Sequence, residues 1–197
     1  MPLSDRAWRI AVPLAAFVFG LGVLAAALVL TFAPSDSGAS AVGGPFALVN
    51  QEGRTVTEKD VLGRPHLVFF GFTHCPDVCP TTLFKMSEVL KATGERGRDL
   101  KALFVTVDPE RDRPEVLKEY LSSFDDRIVG LTGDQAAVDA AVKAYRAYAR
   151  KVPLKDGDYT MEHTAHVYFM DGRNRFVSTL NLTRPADEVA REVLKQL

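Results

Sequence analysis

Leu67-Val68-Phe69-Phe70-Gly71-Phe72-Thr73-His74-Cys75-Pro76-Asp77-Val78-Cys79-Pro80 is the stretch that decides the fold. Leu67–Phe72 is a continuous apolar run, the pattern of a strand buried on both faces of a sheet. Two cysteines follow. From Pro80 to about Thr93, Leu83, Met86, Val89 and Leu90 recur at helical spacing. The cysteines therefore fall where a buried strand hands over to a helix N-terminus. In open α/β sheets functional groups gather beyond the C-terminal ends of strands. The helix dipole there also favours thiolate over thiol.

Working outward, Leu100–Val107 reads as the next buried strand. Asp112, with Pro114 and Glu115 behind it, reads as an N-cap of a helix running toward Phe124. Ile128–Leu131 is short and strand-like, and Asp134 caps a third helix predicted to reach about Tyr148. Ala165–Met170 and Phe176–Leu180 form a hairpin around Asp171-Gly172-Arg173-Asn174, and Pro185 opens a closing helix. Upstream, Phe46–Val49 and Thr55–Val56 flank Asn50-Gln51-Glu52-Gly53, another hairpin turn. Alternating strands and helices predict a largely parallel sheet covered on both faces. The terminal hairpin and the cysteine motif after the first central strand narrow this to a thioredoxin-like α/β fold with a mixed sheet.

The 197 residues carry a net charge of -1, which predicts no attraction to nucleic acid. With only 2 cysteines, a hydrophobic core rather than a disulfide scaffold must hold the fold. From Ile10 to Ala33 there is no charged residue. As a helix this stretch would span roughly 36 Å, enough for a bilayer core of about 30 Å. Arg6 and Arg9 precede it and the next basic residue is Arg54, so residues 1–9 are expected in the cytoplasm and the remainder outside. A cleaved signal peptide is the alternative, although its apolar region is usually shorter. Residues 34–44, small and glycine-rich, read as a flexible tether, and residues 45–197 as the folded domain. Either topology puts the cysteines in an oxidising compartment.

A three-residue gap separates Cys75 from Cys79, where dithiol oxidoreductases usually have two. The pair can close a disulfide or converge on a metal. A purely structural disulfide would restrain little, because its loop is so short. Soft thiolates favour Cu(I), and one imidazole would complete a three-coordinate site. Zinc and iron–sulfur clusters generally need more ligands than the cysteines offer.

Four histidines are available. His66 reads as a strand-edge or surface residue, and His166 as a hydrogen-bonded residue inside the Ala165–Met170 strand. His74 could tune the neighbouring thiolate or face outward. His163, in the predicted loop before that strand, is the best placed to reach the cysteines. Met161 is a packing residue or a soft auxiliary ligand.

Gly43-Gly44-Pro45-Phe46, the block Phe70–Pro80, Val107-Asp108-Pro109-Glu110-Arg111-Asp112 and Glu162-His163-Thr164 together resemble the Sco/SenC family. The resemblance runs from about Gly43 to the C-terminus. It implies a thioredoxin fold and a copper ion held by Cys75, Cys79 and His163. It also implies work on the CuA centre of cytochrome c oxidase subunit II, by metal delivery or by thiol reduction. A copper donor and a thiol reductant, both unidentified, would be further partners. The expected location is the inner membrane, single-pass, with the domain in the periplasm. Asp108 matches a family aspartate near the site; it can equally be a strand-end carboxylate. Glu162 stands where the family usually has Asp, and the Asp171–Asn174 turn lacks the family's usual proline.

Three function classes follow, one of them a scaffolding domain with an incidental disulfide, whose function would survive replacement of Cys75 and Cys79 by Ser. A metallochaperone would bind Cu(I) tightly with little turnover. A thiol–disulfide oxidoreductase would use Cys75 and Cys79 as its redox pair, with no evident place for His163.

Overall fold

The computed structural model describes residues 16–24, 42–155 and 157–197. The chain divides into two units, Met1–Gly38 and Ala39–Leu197. In the first, residues 16–24 are helical. Most of the predicted span at residues 10–33, the N-terminal residues 1–9 and most of the tether lie outside the described residues. Among the described residues no helix is long and apolar enough to cross a membrane.

The second unit is built on a seven-stranded mixed sheet. Its strands are β1 (Ala47–Asn50), β2 (Thr55–Thr57), β3 (His66–Gly71), β4 (Lys101–Thr106), β5 (Ile128–Thr132), β8 (Val167–Met170) and β9 (Phe176–Leu180), in the order β2-β1-β5-β4-β3-β8-β9. β3, β4 and β5 are parallel; β8 runs antiparallel to β3, and β1 to β5. β6 (Ala149–Pro153) and β7 (Tyr159–His163) form a separate antiparallel pair. Among the described residues four α-helices complete the unit: α1 (Val78–Ala92), α2 (Pro114–Leu121), α3 (Gln135–Ala144) and α4 (Ala186–Leu194). The β3–α1–β4–α2–β5 run with a cysteine pair at the β3–α1 junction is the thioredoxin-like arrangement expected from the sequence.

Every residue of β3 is buried, as its apolar run predicts for a central strand. Helix α1 buries Cys79, Leu83, Met86 and Leu90 on one stripe. Cys79 is thus a core position of the helix, whereas Cys75 precedes it and is half-buried.

Several local expectations change. Helix α3 ends at Ala144, not Tyr148. Asp134 does cap it, accepting from Ala137 N–H at 2.7 Å. Asp112 does not cap α2, whose flanking residue is Arg113; it is fully buried and bonded elsewhere. His66 is 1% exposed because it opens β3 between β4 and β8, opposite Lys101 and Met170. His166 is exposed and precedes β8 rather than lying within it. The β6–β7 hairpin has no counterpart in the sequence reading.

Candidate metal centre

The site forms at the C-terminal ends of β3 and β4. There the chain leaves β3 at Gly71, and Val107 N–H donates to the Gly71 carbonyl at 2.8 Å. A side chain at position 71 has no room. A Cβ there would lie 2.6 Å from the Phe104 ring and 3.0 Å from Cys79 Sγ. Glycine lets α1 bring Cys79 down onto the sheet.

The loop Phe72–Asp77 is pinned by the buried carboxylate of Asp112. Oδ2 accepts from Thr73 N–H at 3.0 Å and from Thr106 Oγ1 at 2.6 Å; Oδ1 accepts from Thr73 Oγ1 at 2.6 Å. Burial pushes the Asp112 pKa up while these donors pull it down, and burial wins. His74 is exposed and its Nδ1 faces Thr73 Oγ1 at 3.1 Å. That hydroxyl already gives its proton to Asp112, so His74 Nδ1–H donates to it.

His163 is the last residue of β7 rather than part of a loop. The hairpin carries it across to the cysteines, where Nε2 lies 3.4 Å from Cys79 Sγ. Cys79 N–H in turn points at Cys75 Sγ, 3.4 Å away. The potential ligand atoms of Cys75, Cys79 and His163 all lie within 4.8 Å of one another. The two cysteines are free thiols.

The protonation pattern follows from the surroundings. The rings of Phe69 and Phe72 meet His163 edge-on, at 6.2 and 5.7 Å between centroids. Burial lowers the His163 pKa, so the ring is neutral at pH 7. Nδ1 lies 3.0 Å from the Thr164 carbonyl, which can only accept. The proton therefore sits on Nδ1, and Nε2 is bare. Burial pushes the Cys79 thiol far above its ordinary range, so Cys79 carries its proton. Its S–H is the donor in the contact to Nε2.

The remaining candidates lie outside the cluster. Met161 is half-buried against the core. Glu162 points the other way and pairs with Arg150 at 2.7 Å on the surface, so a change from Asp to Glu there leaves the cysteine side untouched. Asp108 is 3% exposed and bonds to Arg111 and to the Tyr159 hydroxyl. Sequence reasoning missed Gly71, Tyr159 and the buried role of Asp112. The alternation Tyr159-Thr160-Met161-Glu162-His163 was the available signal for β7, and in the folded strand only Glu162 is exposed.

A thioredoxin-like domain with two thiols and an imidazole at the end of its central strand is a thiol-based metal-binding or redox protein. The SCO1/SenC family model matches residues 34–197, and the chain belongs to that family. The structure of Bradyrhizobium japonicum ScoI with copper bound aligns at TM-score 0.76 and 54% identity, over 79% of this chain and 99% of that one. Protein SenC of Rhodobacter capsulatus is 37% identical over 159 residues, 81% of this chain and 72% of that protein. BsSco, described as a member of the Sco family of cytochrome c oxidase assembly proteins with a disulfide switch, aligns at TM-score 0.63 and 25% identity, over 79% of this chain and 92% of its own. The chain spans about half the length of several mitochondrial curated relatives it matches.

Proposed function

We propose that this chain is a membrane-anchored copper chaperone that binds one Cu(I) through Cys75, Cys79 and His163 and serves assembly of the CuA centre on cytochrome c oxidase subunit II. The observation that carries the reading is the convergence of three soft or borderline donors from two remote segments within 4.8 Å. Two thiolates and one imidazole suit Cu(I) and leave hard cations unsatisfied. Copper bound to a relative that is 54% identical over almost its whole length supports copper as the ion.

The residues define how the ion enters. Cys79 holds a proton that it shares with His163 Nε2, and Nδ1 is already committed to a carbonyl. Cys79 Sγ, His163 Nε2 and the half-buried Cys75 Sγ would hold the ion, and Cys79 would give up its proton to do so. Loading therefore releases thiol protons and requires both sulfurs reduced. The anchor rests on the uncharged stretch Ile10–Ala33 and the arginines before it, which direct the domain to the periplasmic face of the inner membrane.

Thiol–disulfide exchange is the second reading. It is favoured by the contrast between half-exposed Cys75, which receives an N–H from the first turn of α1, and buried Cys79. Cys75 would attack a target disulfide, and Cys79 would then displace the target thiol. The chain's two thiols end as a disulfide, and the target's disulfide ends as two thiols.

Anaerobic titration of the reduced full chain, in detergent, with Cu(I) against a competing chromophoric chelator decides between them. One tightly held ion per chain, weakened by Cys75→Ser, Cys79→Ser and His163→Ala, is expected. Failure of the reduced protein to compete would overturn the chaperone reading and leave thiol exchange.

A further inference from the structure

His163 reaches the cysteines on a hairpin that is not hydrogen-bonded into the main sheet; β7 pairs with β6 in a sheet of their own. Its placement therefore depends on other contacts. Alternate residues of a strand share a face, so Tyr159, Met161 and His163 project together. Lys151 of β6 lies opposite Met161. Tyr159 stands about 13 Å along the strand from His163.

Tyr159 is gripped by the loop that follows β4. Its hydroxyl donates to Asp108 Oδ1 at 2.9 Å, with Glu110 Oε2 at 3.3 Å. Its carbonyl accepts from Arg111 Nη1 at 3.1 Å. Arg111 Cζ lies 3.8 Å and Lys151 Nζ 3.7 Å from the centroid of its ring, both within cation–π range. Arg111 Nε donates to Asp108 and Lys151 Nζ to Glu110, so the two cations and two carboxylates also neutralise one another. The clasp is rooted in the sheet, because Asp108 N–H donates to Thr106 Oγ1 at the end of β4.

We propose that Tyr159, held by Asp108 and Arg111, is a positioning residue for the copper site. It fixes where His163 stands over the cysteines, and so sets how tightly the third ligand engages Cu(I). The inference rests on the copper reading of His163. Tyr159 touches neither the cysteines nor the ion. It acts along β7, whose backbone transmits a shift at one end to the other.

The test is a double-mutant cycle on the full chain. Tyr159→Phe, which removes only the hydroxyl, and Tyr159→Ala are each made alone and with His163→Ala. Cu(I) affinity is read by chelator competition, and thermal unfolding is followed as a control. Weakening of roughly tenfold is expected for Tyr159→Ala, and less for Tyr159→Phe, while His163 is present; this is the scale of coupling between residues of one network. Neither change should weaken binding further once His163 is gone. Equal losses in both backgrounds, or none in either, would overturn the proposal. In the metal-free protein the His163 Nε2 nitrogen resonance, which reports its contact with Cys79, should move on Tyr159→Phe. An unmoved resonance is a second refutation that does not depend on copper. If His163→Ala alone leaves Cu(I) affinity unchanged, the copper reading of His163 fails instead, and the resonance alone decides the clasp.

Discussion

Asp108 and Asp112 lie on one loop and hold opposite halves of the candidate site. Asp112 binds Thr73 of the cysteine loop through both carboxylate oxygens. Asp108 binds Tyr159 of the hairpin that carries His163. The two are also tied to each other, since Asp112 N–H donates to the Asp108 carbonyl at 2.9 Å. A five-residue turn beyond β4 therefore touches both halves of the site, although none of its residues belongs to the candidate ligand set.

Removing Asp112 should loosen the cysteine half most. Asp112→Ala leaves the Thr73 N–H and hydroxyl and the Thr106 hydroxyl without their acceptor. Unpaired buried donors cost about 1–3 kcal/mol each, and Thr73 is only half-buried, so a total loss of roughly 2–3 kcal/mol is expected. Asp112→Asn keeps one acceptor oxygen and should lose about half as much. Urea unfolding at neutral pH measures both. An unchanged midpoint for Asp112→Ala would mean that the carboxylate's desolvation cost already cancels its bonds.

Gly71→Ala should disturb Cys79 most. The new methyl would sit 2.6 Å from the Phe104 ring and 3.0 Å from Cys79 Sγ. Both neighbours belong to the packed core and cannot both yield. Overpacking of this kind costs about 1–3 kcal/mol. A thermal scan should show the loss, and chelator competition should show weaker Cu(I) binding. A destabilised variant with wild-type Cu(I) affinity would show that Phe104 gives way and Cys79 does not.

The cysteine half of the site was legible because it is local. An apolar run, a cysteine pair and a helical stripe follow one another in the chain, and Cys79 continues the spacing of Leu83, Met86 and Leu90. His163 was singled out as a loop residue free to reach the cysteines, whereas it ends a strand that carries it to within 3.4 Å of Cys79 Sγ. β6 carries Arg150 and Lys151, and a two-stranded pair with polar edges leaves no apolar run to read. Asp112 before Pro114 has the local look of a cap, but its partners Thr73 and Thr106 come from other segments. His66 was misplaced for a related reason. Pro65 and the strand start suggest a surface, and only the insertion of β3 between β4 and β8 buries the ring.

Buried His66 should make stability depend on pH. Its Nδ1 donates to the Arg64 carbonyl at 3.2 Å, and burial lowers its pKa. In the unfolded chain the usual value is about 6.5. Below that pH the unfolded state binds a proton that the folded state refuses, so stability falls as the solution is acidified. One such group contributes a slope of up to about 1.4 kcal/mol per pH unit. His163, whose pKa is also lowered by burial, adds to the same trend. Denaturant unfolding between pH 7.5 and 5 should show the loss, and His66→Leu should reduce the slope by up to one proton. An identical slope in the variant would assign the whole effect elsewhere.

Tyr120→Phe should stabilise the protein. The Tyr120 ring packs on Phe104 and Phe124, at 6.0 and 5.6 Å between centroids, and phenylalanine keeps both contacts. Its hydroxyl is buried and has no hydrogen-bond partner among the described residues. A buried, unpaired polar group costs about 1–3 kcal/mol, so its removal should gain on the order of 1 kcal/mol and raise the unfolding midpoint. The neighbouring charges sharpen the outcome. Burial raises the Tyr120 pKa, and Cys79, Cys75 and Asp112 raise it further, so the hydroxyl keeps its proton beside two thiols that would lose theirs on metal loading. If Tyr120→Phe stabilises the metal-free protein and leaves Cu(I) affinity alone, the hydroxyl is an unpaired group and nothing more. If it instead weakens Cu(I) binding, the phenol turns to donate to a thiolate once the ion is bound, and the unpaired state is the cost of keeping that donor in place.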